Sequence, residues 1–424
     1  MKKILTLSTA LGMVLLSADA MAAGFHLREQ SAAAQGNAYA GATAGAEDNS
    51  YAYYNAAGIT RQKGTQFTLG GTRIAPRAEA KNVRDENGKR DHDVQNIVHA
   101  AFSPNFAITH QVNDKLFLGI IGNSAFGMIT KYDPDWVGAD HGATSDVKTA
   151  AITPLIAYKL NDKLSFGAGM QFQYIWAHLT SSSSETYTKK VTVEGNTLDI
   201  GYQLGLLYEL NDNTRFGVGY RSEVKHKIKG KMKSSGSMAP APVGPMIDAL
   251  LNQKISAKLD TPAMLSFGAY HDINDRWSVM AEYQRVFWSS FQNLTFVSRE
   301  HLNKPGKPYI TNVKEHWRDT NFYSIGTSFK IDDQWKLRLG FAYDESAVKY
   351  NHRTPRIPDS DRIWYSVGLS YQYTENLSFN FGYTYIYAHK ASLNTKVTGN
   401  DGKHVTAEFN NSVRALAFGV SYKF

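Results

Sequence analysis

From Leu377 to Tyr387, apolar positions recur at every second residue. Leu377, Phe379, Phe381, Tyr383, Tyr385 and Tyr387 alternate with Ser378, Asn380, Gly382, Thr384 and Ile386. In the final stretch Leu416, Phe418, Val420, Tyr422 and Phe424 alternate with Ala415, Ala417, Gly419, Ser421 and Lys423. A period of two is that of a β-strand with unlike faces. Short polar pairs punctuate the chain at Asn113-Asp114, Asn161-Asp162, Asn211-Asp212, Asn274-Asp275, Asp332-Asp333 and Glu375-Asn376. Asn and Asp suit tight turns because their side chains bond nearby backbone and tolerate left-handed geometry. Each pair is followed by an aromatic residue (Phe117, Phe166, Phe216, Trp277, Trp335, Phe379), as in an interfacial girdle. Polar stretches near 75–93, 131–146, 180–198, 230–256, 297–316, 344–361 and 389–411 read as long loops between the short turns. Six turns and seven loops predict fourteen strands with both chain ends on the short-turn side. The fold class is therefore all-β, a transmembrane antiparallel β-barrel. A soluble sheet also alternates, but the number of segments, the aromatic turn flanks and the terminal Phe424 favour the membrane barrel.

Residues 1–22 carry Lys2 and Lys3, a short apolar run from Ile4 to Leu16 and the small-x-small site Ala20-Met21-Ala22. This predicts a removable secretory signal peptide and export to the outer membrane of a bacterial cell. The next stretch, 23–60, is rich in Gly, Ala, Asn and Gln and has neither period. It is expected to be a plug (hatch) inside the lumen, with 61–424 forming the barrel around it. Mean hydropathy is −0.37, which does not argue against this, because alternation hides an apolar belt. Removing the leader takes 46 basic and 38 acidic residues to 44 and 37, a formal charge of +7. No basic run is dense enough for a nucleic-acid partner, and the chain has no cysteine.

Two irregularities stand out. Pro104 lies within the second strand pattern and cannot donate a ladder bond. In the third, alternation breaks around Gly119, Gly122, Asn123 and Ser124. A local bulge or a gap in the wall accounts for both. Within 230–256, Pro245, Met246, Ile247, Leu250 and Leu251 suggest a short amphipathic helix. Trp136 and Val137 are candidates for its facing wall, the two together making an extracellular hydrophobic groove. Parity points Arg221, Glu223, Glu282, Arg338, Asp344 and Arg362 inward. An inward Arg either pairs with a wall or plug carboxylate or captures a ligand carboxylate; Arg338, Arg362 and Arg221 are the candidates for capture. No Walker loop, HExxH or GxSxG is present and the 13 His are scattered. No catalytic residue, metal or cofactor is expected.

The stretch GFHLREQSAAAQGNAYAGATAGAEDNSYAYYNAAGIT resembles the plug of the FadL/TodX family of outer-membrane transporters for long-chain fatty acids and other hydrophobic compounds. The likeness continues through DWVGADHGATSDVKTAAITPLIAYKLNDKLSFGAG, TPAMLSFGAYHDINDRWSVMAEYQRVFWSSFQNLTF and RTPRIPDSDRIWYSVGLSYQY. The resemblance implies fourteen strands, a plug, an extracellular groove between 131–146 and 230–256, and an inward kink of the third strand that opens the wall sideways near Pro104, Gly122, Asn123 and Ser124. Where that family's plug usually carries Asn-Pro-Ala, this chain has Asn55-Ala56-Ala57, the expected plug trigger. The expected function is passive uptake of long-chain fatty acids by plug movement and lateral diffusion into the bilayer. Alternatives are a channel for aromatic hydrocarbons, a general porin or a surface adhesin. Expected partners are the hydrophobic ligand, membrane lipid and lipopolysaccharide, with the chain acting as a monomer.

Overall fold

The computed structural model describes residues 24–133, 136–183, 188–236, 241–299, 309–400 and 403–424; the expected leader, 1–22, lies outside them. The strands are β1 (Thr65–Arg84), β2 (Ala101–Gln111), β3 (Leu116–Asn123 and Gly127–Lys131), β4 (Thr144–Lys159), β5 (Leu164–Ser183), β6 (Thr188–Asn211) and β7 (Thr214–Arg221 and Lys227–Ser234). They continue as β8 (Gln253–Lys258 and Met264–Asp272), β9 (Trp277–Val286 and Asn293–Ser298), β10 (Tyr309–Lys314 and Thr320–Lys330), β11 (Trp335–Asp344), β12 (Arg362–Gln372), β13 (Leu377–Ala388 and Ala391–Asn394) and β14 (Thr406–Lys423). Neighbours pair antiparallel, and β1 closes on β14, Gln66 facing Lys423. The closed barrel has the 14 strands the turn count predicts. Parity holds: Leu416 is 57% exposed and Ala415 is 0% exposed.

The short turns owe their shape to one side chain each. Asn113 Oδ1 accepts from the N–H groups of Lys115 and Leu116, both at 2.9 Å. Asn274 does the same for Arg276 and Trp277. Beside the turns the aromatics touch across strands, Trp277 with Phe329 at 4.6 Å and Trp335 with Tyr371 at 4.4 Å between ring centroids.

At the other end the strands run further than polarity suggested. β1 continues to Arg84 and β6 starts at Thr188, inside stretches read as loops. Above the lipid both faces of a strand meet water or polar loops, so the apolar period stops while backbone pairing does not. Several strands break at one height. Arg221 ends the lower part of β7 and faces Met264; Met264 faces Val286; Val286 faces Thr320. Each of these four residues borders an interruption, so on this side a lower cylinder carries an upper crown.

The lumen is filled by the start of the described chain. Two short helices, α1 (Ala32–Gly36) and α2 (Ala42–Gly45), precede two 3₁₀ turns, Asn49–Tyr53 and Ala56–Arg61. Ser31 Oγ caps α1 by accepting from Ala34 N–H at 3.2 Å. The Asn and Gln enrichment has a physical reason here. A plug without sheet edges meets the wall through side-chain amides that donate to wall carbonyls. Gln35 reaches Ala415 O at 3.1 Å, Asn37 reaches Thr327 O at 2.8 Å, Asn49 reaches Gln66 O at 3.0 Å and Asn55 reaches Leu206 O at 2.9 Å. The plug backbone lies against wall glycines. A Cβ at Gly217 would overlap Thr43 O, and one at Gly340 would overlap the Asn37–Ala38 peptide.

Candidate ligand cavity and wall gap

Phe25 leads the plug into a cage of aromatic rings. Its centroid lies 4.9 Å from Trp288, 5.8 Å from Phe126, 5.9 Å from Trp317 and 6.3 Å from Phe291. Trp288 and Phe291 lie in the break of β9, and Trp317 lies in the break of β10; a strand that stops pairing can turn a large ring inward. Gly24 N–H donates to Asp359 Oδ2 at 3.0 Å and fixes this end.

Above Phe25 is an apolar cavity of about 40 Å³, lined by Met128, Val147, Ile228, Ile255 and Phe296 among others. That is room for a few water molecules, so a chain-like ligand enters only by displacing lining side chains. The ionisable side chains buried at it are Glu315 and, in part, Arg356. Burial pushes the Glu315 carboxyl up to about 8, against the Trp317 indole N–H bonded to it at 3.1 Å and the nearby Arg356. Burial draws Arg356 down to about 10, so it stays cationic at neutral pH. Its guanidinium donates to Thr144 O at 2.9 Å, Ser145 Oγ at 2.9 Å and Thr180 O at 3.1 Å, all neutral acceptors.

The ladder of the wall is interrupted beside β3. β2 pairs with β3 only from Gln111–Phe117 to Phe106–Gly122. Beyond that rung Ala101 to Asn105 keep only their β1 partners. Pro104 sits on this unpaired length, where its missing N–H leaves no ladder bond unmade. Ser124, Ala125 and Phe126 leave the β3 line and pair with the plug instead. Leu27 N–H donates to Ala125 O at 2.7 Å, Gly127 N–H to Phe25 O at 2.8 Å and Gln30 Nε2 to Ser124 O at 2.7 Å. Asn123 is buried with neither side-chain polar atom bonded, and Asn105 Nδ2 is likewise unpartnered among the described residues. These polar groups lie at the gap.

The inward arginines have definite partners. Arg338 pairs with plug Glu47 at 2.6 Å, and Lys336 joins at 3.0 Å. Arg362 pairs with Asp359 and approaches Asp344 at 3.9 Å; Arg28 holds the same Asp344 at 3.0 Å. Arg221 has no carboxylate partner among the described residues; it bonds Gln203, Gln171 and Tyr53 O and stacks 4.3 Å over the Tyr53 ring. Glu223 falls in the β7 break beside Lys225. Asn55 Oδ1 accepts from Ala57 N–H at 2.9 Å, and Asn55 Nδ2 donates to Thr43 O at 2.7 Å, so Asn55-Ala56-Ala57 is clamped.

The described groove residues do not come together. Trp136 is buried, stacks on Tyr132 at 4.2 Å and donates to Gly142 O at 3.1 Å. Val137 packs in the same cluster, with Val94, Leu393 and Phe409. The expected helix forms as α3 (Val243–Leu251). Met246 on it is 76% exposed, while Leu251 packs on the cluster that includes the cavity lining. The side chains of Ile247 and Leu250 lie outside the description. Sequence reasoning did not single out Phe25, Trp317, Glu315 or Arg356. The aromatic run Val286-Phe287-Trp288-Ser289-Ser290-Phe291, where alternation fails, is the one local signal from which the cage could have been read.

Residues 13–424 match the protein family described as "Outer membrane protein transport protein (OMPP1/FadL/TodX)". The chain is 28% identical to the long-chain fatty acid transport protein of Salmonella typhi, over 98% of this chain and 97% of that one. In structure it resembles a Pseudomonas aeruginosa FadL homologue with a TM-score of 0.85, at 22% identity over 95% of this chain and 100% of that chain. It resembles the Ralstonia pickettii toluene transporter TbuX with a TM-score of 0.69, at 18% identity over 94% and 99%.

Proposed function

Because the chain belongs to the OMPP1/FadL/TodX family of outer-membrane transport proteins, we propose that it takes up hydrophobic compounds, and specifically long-chain fatty acids, across the outer membrane. One observation carries the mechanism. Phe25 fills the cage below the cavity with its side chain, while its carbonyl and the Leu27 N–H hold the inward kink of β3. A tail entering the cavity competes with the Phe25 ring, gaining about 0.8 kcal/mol per CH₂ removed from water. Displacing Phe25 also strips the kink of its plug partners. The ligand thereby favours the plug state in which the path from cavity to wall gap is open, which is the differential contact such a shift requires. Exit through the gap between β2 and β3 delivers the tail to lipid without a long aqueous passage. Asn105 and Asn123 offer hydrogen bonds to the carboxyl on the way.

The ligand carboxylate falls to Arg356, which has only neutral partners at the cavity, and deeper in the lumen to Arg221. Arg338 and Arg362 hold protein carboxylates and serve this reading by tying wall to plug and loop. One chain supplies cavity, plug and gap, so the unit is taken to be a monomer. The pH dependence has a definite sign. Below about pH 8 Glu315 is protonated and leaves Arg356 to the ligand; above it the ionised Glu315 competes. Oleate affinity, measured by equilibrium titration of the purified protein, is expected to fall several-fold between pH 7 and pH 9.5. In Glu315→Gln it is expected to stay flat.

The gap itself is tested by closing it. The chain has no cysteine, and Asn105 and Asn123 stand one rung past the last β2–β3 pair. In cells lacking their own transporter, Asn105→Cys/Asn123→Cys is expected to take up labelled oleate when reduced and to lose at least tenfold of that rate when oxidised. Uptake unaffected by cross-linking would rule out the sideways exit. Toluene serves as the second substrate; its uptake in place of oleate would assign the channel to aromatic hydrocarbons.

A further inference from the structure

In the upper half of β7 every second residue is a lysine. Lys227, Lys229, Lys231 and Lys233 are exposed, while Ile228 and Met232 between them are buried. Ile228 lines the ligand cavity. One strand thus has an apolar inner face and a cationic outer one. On the paired strand β8, Lys254 faces Lys231 and Lys258 faces Lys227, both exposed. Lys225 precedes the ladder and Arg299 follows the end of β9, both exposed. Alternate residues on a strand stand about 6.7 Å apart and adjacent strands about 4.8 Å, so this is a two-dimensional lattice of positive charge. The nearby acids are few. Glu223 lies 3.8 Å from Lys225, Glu194, across from Lys231, lies 3.8 Å from His178, and Asp260 sits within electrostatic reach of Lys258 and Lys225 without pairing with either. Among the described residues Lys227, Lys229, Lys231, Lys233 and Lys258 have no carboxylate within 4.0 Å.

The register fixes the height of this lattice. Lys229 faces Asn196, which faces Trp176. Lys148 lies 5.4 Å over that Trp176 ring. Immediately below, on the outer face of β6, Leu198 is 58% and Ile200 is 60% exposed, as lipid-facing residues are. The ladder therefore starts where the apolar belt ends, at the level of the headgroups. Like charges in such a lattice repel and persist on a surface that meets a layer of the opposite sign.

We propose that the outer face of the β7–β8 crown is a docking surface for the phosphate-bearing headgroups of the outer-leaflet glycolipid, held by Lys227, Lys229, Lys231 and Lys233 with Lys254 and Lys258. This anchoring is independent of what the lumen transports. Each ammonium near an anionic lipid surface adds about fivefold in affinity at low salt. The full chain in detergent micelles is titrated with lipopolysaccharide and with the same lipopolysaccharide stripped of phosphate. The wild-type chain is expected to bind the intact form at least tenfold more tightly, with a steep salt dependence. K227Q/K229Q/K231Q/K233Q is expected to lose that preference, and the corresponding Lys→Arg variant to keep it. Equal binding of the two glycolipids by the wild-type chain would overturn the proposal whether or not the Gln variant assembles. So would a Gln variant that keeps the glycolipid but loses oleate affinity, which would give the lysines to the substrate carboxylate.

Discussion

Glu47→Ala is expected to loosen the plug by about 3–5 kcal/mol, the usual consequence of removing one partner of a buried ion pair. Arg338 is 3% exposed, and its guanidinium bonds Glu47 and the Ser370 hydroxyl. Without Glu47 it loses its bonded carboxylate and keeps only the more distant Asp48 as a counter-charge. Burial alone would raise the Glu47 carboxyl, but Arg338 and Lys336 outweigh it and hold the group well below the usual carboxylate range. A depressed carboxyl contributes stability that is present above its unfolded value, near 4.5, and is lost as the pH falls through the folded one. Hydrogen exchange of the plug amides from Asn49 to Ile59 reads the effect. On the order of 10²-fold faster exchange at neutral pH corresponds to about 3 kcal/mol. The double change Glu47→Leu/Arg338→Met is expected to recover most of the loss, because an apolar pair carries no desolvation penalty. Exchange in Glu47→Ala at the wild-type rate would remove this pair from the account of how the plug is held.

The second large effect is steric. In Gly340→Val the new side chain is expected to drive the plug from its seat while the barrel still assembles. The Cβ would meet the Asn37–Ala38 peptide. The plug has little freedom to retreat, since Ala38 and Tyr39 already hold positive φ of 51° and 62° and Tyr39 is buried. Overpacking against side chains costs about 1–3 kcal/mol, and here the obstacle is backbone. Leu339→Val, one residue away on the lipid face, is the control. Expected readouts are heat-modifiable migration in both variants, with protease cleavage of the plug and raised sensitivity to bulky hydrophilic antibiotics in Gly340→Val alone. Normal plug protection in Gly340→Val would mean that the wall flexes to accept it.

The sequence pattern carried the cylinder because a strand's two faces are decided locally. Leu416 and Ala415 differ by one position and by the whole thickness of the wall. The irregularity at Pro104 and Gly122-Asn123-Ser124 was legible for a related reason, since a missing donor and a broken period are local facts. Partners were not legible. Parity turns Arg338 and Arg362 inward, but nothing near them tells that Glu47, 291 residues away from Arg338, takes one of them. Phe25 shows the same limit, because its cage is built from the breaks of three distant strands, β3, β9 and β10. Trp136 was placed against α3 from its apolar character alone, and a different set of loops buries it.

The breaks in β7, β8, β9 and β10 lie on one rung, while β1, β5, β6 and β14 pass through the wall without interruption. The crown is therefore hinged along one arc only. A load on the rim above β7–β10 meets pairing that is already interrupted, whereas a load above β5 and β6 runs straight down the strands into the embedded tube.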